Sequence, residues 1–211
     1  MQLKHRWLGQ NLDFQEGWEI QRQTVQAIHN GEEGNQLLSV EHAPVYTIGR
    51  TRDQSSLKAE NLLPHPVVEI NRGGQATYHG PGQLTGYPIL DLTPLGKDLH
   101  AYIRAIEEAL IRACSLYQVK AGRREGLTGV WVENRKLASI GVGVRKWISM
   151  HGFAINVTKE SLSGFLSITP CGLSGVAMTS LESECGYTVS VEEFANCCAQ
   201  QLEDSLESLS H

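Results

Sequence analysis

No run in the 211-residue sequence is long and apolar enough to cross a bilayer. The opening Met1-Gln2-Leu3-Lys4-His5-Arg6 carries a little charge with no apolar core behind it, so no secretory signal is visible and the expected address is the cytoplasm. A positive excess is missing too: 18 Lys and Arg against 23 Asp and Glu leave a net charge of −5, the wrong sign for a nucleic-acid surface. The basic pairs Arg123-Arg124 and Arg145-Lys146 are expected to be solvated, though either is able to steer an acidic protein partner. Paired cysteines are absent. The five thiols, Cys114, Cys171, Cys185, Cys197 and Cys198, are odd in number and irregular in spacing, which does not make a disulfide framework. The eight histidines show no H-E-x-x-H pattern and the cysteines no C-x-x-C pattern, so no zinc site is expected. Repeats, low-complexity tracts and linkers are lacking as well, which suggests a single domain over residues 1–211, large enough for a sizeable core.

What is present is a mixture of helix and strand signals. Gln15 to His29 reads as a helix with Gly31 as its stop. Asp98 caps a second helix with Leu99, Ile103, Ile106, Leu110 and Ala113 on its apolar face. A third starts at Ser190 with Glu193 completing a capping box and runs towards Leu209. Leu37–Glu41, Val45–Ile48, Val67–Ile70 and Tyr87–Leu92 read as strands, and Val130–Val157 as three more. Interspersed strands and helices with hairpin-like neighbours give an α/β (α+β) class, a mixed sheet flanked by helices, rather than a clean βαβ series.

The most informative stretch is Arg72-Gly73-Gly74-Gln75-Ala76-Thr77-Tyr78-His79-Gly80-Pro81-Gly82-Gln83. Its glycines bare the backbone for close approach to a ligand, and its polar heads suit an exposed site on a loop. A second pattern lies downstream. On Lys136–Arg145, Ala138, Ile140, Val142 and Val144 form an apolar face while Ser139, Gly141 and Gly143 are nearly bare. On His151–Val157, Phe153, Ile155 and Val157 oppose Gly152, Ala154 and Asn156. Two adjacent bare faces leave either a groove for an extended aliphatic group or room for a closely packed helix.

Thr169-Pro170-Cys171-Gly172 sets a thiol in a tight turn. Cys114 sits in a helix, Cys185 lies beside Glu182 and Glu184, and Cys197 and Cys198 fill the last helix, so Cys171 is the best nucleophile by elimination. Lys136 shares parity with the apolar row of its strand, as a snorkelling lysine would. If desolvated it becomes a base for acyl transfer. His79 and His151 compete for that role, and spacing does not decide among the three.

These residues resemble a known family, the lipoyl(octanoyl) transferases. Arg72 to Gln83 followed by Gly86-Tyr87-Pro88 is similar to its signature, and Glu41 to Gly49, Lys136 to Gly141, His151 to Asn156 and Thr169 to Gly172 resemble its other blocks in order. The resemblance implies a fold like that of biotin and lipoate protein ligases and the class II aminoacyl-tRNA synthetase core. It implies transfer of octanoyl from octanoyl-acyl carrier protein through a Cys171 thioester to a lysine of lipoyl domains, in 2-oxo acid dehydrogenase E2 subunits and glycine-cleavage H protein. Lys136 would lower the Cys171 pKa and shuttle the proton. Arg72, Gly73, Gly74, Gln75, Ala76, Thr77, Tyr78, His79, Ser139, Ile140, Gly141, Gly152, Phe153 and Ala154 would bind the acyl group. A thioester is already activated, so no cofactor, ATP or metal is expected, and the protein is expected to act as a monomer. The rival readings are an ATP-dependent lipoate or biotin ligase and a non-catalytic acyl-binding protein. A GxGxxG dinucleotide site is a poor third, since the spacing is absent.

Overall fold

A computed structural model describes residues 2–49, 63–168 and 176–209. The element order is β1 (Lys4–Trp7), α1 (Phe14–His29), β2 (Gln36–Val40), β3 (Val45–Ile48), β4 (Val67–Glu69), β5 (Thr77–His79), β6 (Gln83–Ile89), α2 (Leu99–Leu116), β7 (Gly122–Arg124), β8 (Leu127–Val132), β9 (Arg135–Arg145), β10 (Ile148–Asn156), β11 (Ala177–Met178), α3 (Leu181–Cys185) and α4 (Val191–Glu207). A 3₁₀ segment, Lys159–Ser167, follows β10. The described strands form an eight-stranded sheet in the order β1-β2-β6-β10-β9-β8-β7, with β11 on β9, and a small sheet β4-β3-β5. Pairing is mixed: β1–β2 and β11–β9 are parallel and the other large-sheet pairs antiparallel.

Each long helix starts where its cap dictates. Asp13 accepts from the Gln15 and Glu16 amides, Asp98 from His100 and Ala101, and Ser190 from Glu193, satisfying donors that the first turn leaves open. Period-2 alternation then sorts the sheet's side chains between two layers. Leu84, Ala138, Val142, Phe153 and Ile155 meet Ile106 and Leu110 of α2 and Phe194, Leu202 and Leu206 of α4. On the other face Leu38, Val40, Tyr87, Ile89 and Ile148 meet Ile20, Val25 and Ile28 of α1. Cys114 and Cys198 are buried filler, their thiols pushed up by desolvation, Cys114 to about 12.

Two expectations need correction. The glycine-rich stretch is not an exposed loop: Thr77–His79 is strand β5, paired to β3, and Ala76 to Gly80 and Gly82 to Gln83 are buried. Of its polar heads, His79 Nδ1 bonds Gln83 Oε1 and Gln83 Nε2 bonds Tyr78 O within the stretch itself. The strand leaving it begins at Gln83 rather than Tyr87, continuing to Ile89. Arg123 and Arg124 are exposed, as expected, and Arg123 is ion-paired as well. Arg123 donates to buried Glu107 (3.0 Å) and to Glu108 (2.9 Å), while Arg124 lies over the Trp131 ring. Glu107 also accepts from the Gly129 amide at 3.0 Å, so this cluster ties α2 to β8.

Candidate active site

The register of β9 against β10 puts the bare residues together. Ser139 opposes Ala154, Gly141 opposes Gly152 and Gly143 opposes Met150, and directly opposed residues share a face. That face points away from α2 and α4. Over it crosses the glycine-rich stretch, whose Gly73 amide donates to Val142 O at 3.3 Å. A Cβ on Gly141 would stand 2.8 Å from Gly73 O and one on Gly143 3.2 Å from Asn71 O. The close packing on the bare face therefore comes from backbone, not from a helix. Gly152 is bare for a further reason: a Cβ there would stand 2.5 Å from Pro88 Cδ on β6.

Beneath the crossing lies a cavity of about 60 Å³. Of the residues expected to bind the acyl group, Arg72, Gly73, Gly74, Gln75, Thr77, His79, Ser139, Ile140, Gly141, Gly152, Phe153 and Ala154 line it. Ala76 and Tyr78 do not. Strand alternation sends Tyr78 to the opposite side of β5, where it packs with Tyr46, Phe165 and Ile168. The cavity also takes Phe14, Ile70, Thr85 and Tyr87, which sequence reasoning did not place there, and His151, which it considered only as a base. Thr85 and Tyr87 share parity with Gln83 on β6, a usable signal. Phe14 follows a helix cap, and no local pattern marks it.

Arg72 is an anchor. Its Nη2 donates to Thr47 O (3.0 Å) and Oγ1 (2.9 Å), and its Nη1 to Gly73 O (2.9 Å), pinning the crossing stretch to β3. The Thr77 hydroxyl is buried in the wall with no hydrogen-bond partner among the described residues, a state that a ligand would relieve. His79 and its neighbour His42 are held neutral by burial. His79 is lowered to about 3 by desolvation, with neighbouring His42 and the Arg72 guanidinium disfavouring its proton further, and His42 is lowered to about 4 by desolvation. His42 Nδ1 donates to Leu12 O (3.0 Å), so its Nε2 accepts from the Tyr87 hydroxyl (2.7 Å).

A buried relay leaves the cavity from His79. Its Nδ1 donates to Gln83 Oε1 (2.8 Å), Gln83 Nε2 donates to Asn156 Oδ1 (3.0 Å), and Asn156 Nδ2 donates to Thr179 O (3.0 Å). The Thr179 amide in turn donates to Lys136 O at 3.0 Å.

Lys136 corrects the remaining parity expectation. Val130 and Trp131 oppose Ala138 and Lys136, so two steps on β9 answer one on β8. This bulge sends both Leu137 and Ala138 into the α2–α4 core and returns Lys136 to the bare face. There it is only 4% exposed, with Nζ 5.3 Å from the centre of the Trp131 ring. Gly129 makes the space: a Cβ on it would stand 3.0 Å from Lys136 Cε. Lys136 is not a snorkelling surface residue. Cys171, the expected nucleophile, lies outside the described residues.

The fold and cavity now bear comparison with known proteins. Residues 13–203 match the family described as the lipoyl protein ligase A/B catalytic domain, and the chain belongs to it. Within that family it is an acyltransferase of the octanoyltransferase kind. It is 48% identical over 182 residues to the octanoyltransferase of Geotalea uraniireducens, covering 86% of this chain and 83% of that protein. The architecture is shared more widely. A bipartite lipoate protein ligase from Thermoplasma acidophilum superposes with a TM-score of 0.70 at 15% identity, over 99% of this chain and 91% of the other. The Aquifex aeolicus biotin protein ligase in complex with biotin and ATP superposes with a TM-score of 0.60 at 14% identity, over 97% and 71%. At such identities these two speak for the fold alone.

Proposed function

We propose that the chain moves an octanoyl group from octanoyl-acyl carrier protein to a lysine of a lipoyl domain through a thioester on Cys171. Octanoyl transfer for protein lipoylation follows from the family. The carrier-protein donor, the covalent step and the E2 and H-protein acceptors are the finer reading. The observation that carries it is the cavity, a slot of bare backbone and largely apolar wall, with buried Lys136 on the same strand three residues before its Ser139 wall. Strand β11 supports it further: it resumes the chain at Ala177 and Met178, paired to Arg135 and Lys136, so the segment carrying Cys171 is followed at once by residues tethered beside that lysine.

In the first half-reaction the Cys171 thiolate attacks the donor thioester carbon. A tetrahedral intermediate collapses, the S-acyl bond forms on Cys171, and the pantetheine thiolate leaves and takes a proton from the Lys136 ammonium. In the second, the acceptor lysine amine attacks the acyl-enzyme, its proton passes to Lys136, and Cys171 leaves as thiolate. Lys136 is the favoured proton carrier, because an imidazole lowered to about 3 is a weak base near neutral pH. Backbone amides near the bare stretch would hold the oxyanion, at about 2.7–4 kcal/mol per donor. The Thr77 hydroxyl is a further donor within the cavity wall.

The test is intact mass after incubation with octanoyl-acyl carrier protein and no ATP. One octanoyl adduct, released by hydroxylamine and absent in Cys171→Ala, is expected. Lys136→Ala should slow its appearance by at least a hundredfold. Modification that strictly requires ATP would instead show a ligase, and binding without any adduct an acyl-binding protein.

A further inference from the structure

The cavity has a neighbour. A groove of about 570 Å³ runs between α1 and the β9–β10 hairpin, with Trp18, Val25, Val144 and Met150 among its walls and Arg22 and Arg145 beside them. Among the described residues, His151 alone belongs to the walls of both. His151 thus stands between the two, and it is fixed in place. His151 is 2% exposed, and its φ of 58° is a left-handed value that few side chains adopt. Its amide donates to Oε1 of Gln21, itself fully buried on α1, at 3.0 Å. Its Cδ2 packs over Gly143, 3.2 Å from where a Cβ would stand.

The register gives the cavity a direction. Lys136 lies beyond the Ser139–Ala154 end, and His151 opposes Val142 at the other end, about 10 Å further along the strand at some 3.3–3.4 Å per residue. An acyl chain whose carbonyl sits towards Lys136 therefore points its methyl end at the His151 ring.

We infer that His151 is the residue that limits acyl-chain length, closing the cavity against a groove that would otherwise receive longer chains. This rests on the proposed function, since it takes the carbonyl end to lie towards Lys136. Every further methylene buried would favour transfer about fourfold. A protein that disfavours longer chains must therefore block them, and His151 is the block.

The experiment measures acyl-enzyme formation from carrier protein loaded with 8-, 10- and 12-carbon chains, each at equal concentration. In the parent protein the rate should fall at least tenfold from 8 to 12 carbons, and a flat profile overturns the inference. In His151→Gly, which accommodates the positive φ, the 12-to-8 ratio should rise at least tenfold. His151→Asn, smaller than histidine and also tolerant of that φ, should give an intermediate ratio and serves if the glycine variant folds poorly. Ratios within threefold of the parent in both variants overturn the stop, whatever happens to thermal stability. Failure of the parent to form any octanoyl adduct is a different result, and it sinks the proposed function instead.

Discussion

The two faces of the β9–β10 pair are built from the same strands and do opposite things. Towards α2 and α4, Ala138, Val142, Phe153 and Ile155 are buried in the main core. Towards α1 the same strands offer Ser139, Gly141, Gly152 and Ala154, and what covers them is backbone from the glycine-rich stretch with a cavity beneath. A core face draws stability from filled volume. The hollow face gives up that volume, and fixed backbone, an anchored Arg72 and buried His151 help keep it from collapsing. Because the packed side is rigid, the hollow side can hold its shape without being filled, which is the arrangement a preorganised ligand slot requires.

Substitutions on the two faces should therefore separate stability from activity. The largest effect is expected on the packed side. Ile155→Ala removes a fully buried side chain whose strand partners are Leu84 and Ala138, and should cost about 2–5 kcal/mol in urea unfolding. The fraction that remains folded should still form the acyl-enzyme at close to the parent rate. Gly141→Val reverses the pattern. Its Cβ would press on Gly73 O at 2.8 Å and Arg72 Cδ at 3.2 Å, so the crossing stretch must shift off the strand and the added side chain stands in the slot. Acyl-enzyme formation should drop at least a hundredfold, about 2.7 kcal/mol of barrier, with stability lowered by about 1–3 kcal/mol, as overpacking usually costs. Equal losses of activity per folded molecule in the two variants would erase the distinction between the faces.

How far the sequence revealed this division depends on the residue. The bare and apolar rows of β9 and β10 were legible because a regular strand obeys period 2, and so were the helices, whose caps at Asp13, Asp98 and Ser190 are local chemistry. Twelve of the expected acyl-binding residues reach one cavity because the glycine-rich stretch and the hairpin are brought together. Lys136 was misread on parity alone. Its placement turns on a bulge at Leu137, and a bulge is set by the partner strand, which no single-strand pattern contains. The burial of Thr77, His79 and Gln83 was likewise hidden, since it depends on β3 and β10 closing over them. The role of Phe14 needs the whole fold to become visible.

The smallest effect concerns what the hollow face does to a histidine. Burial lowers His79 to about 3, against about 6.5 when exposed. Above pH 6.5 it is neutral in both states and contributes no pH dependence. Below that, the unfolded chain binds a proton that the folded protein refuses, so stability falls with falling pH until about pH 3, by about 1.4 kcal/mol per unit. His42, lowered to about 4, adds a similar slope down to that value. Urea unfolding at pH 6 and pH 5 should show the parent losing about 1 kcal/mol more than His79→Gln over that interval, because His42 and the carboxylates titrate alike in both. The comparison uses slopes, so the hydrogen bond from Nδ1 to Gln83 that the variant also loses cancels out of it. Parallel slopes would mean that His79 takes up a proton in the folded state as readily as in the unfolded, and the hollow face would then be wet rather than a slot fit for an alkyl chain.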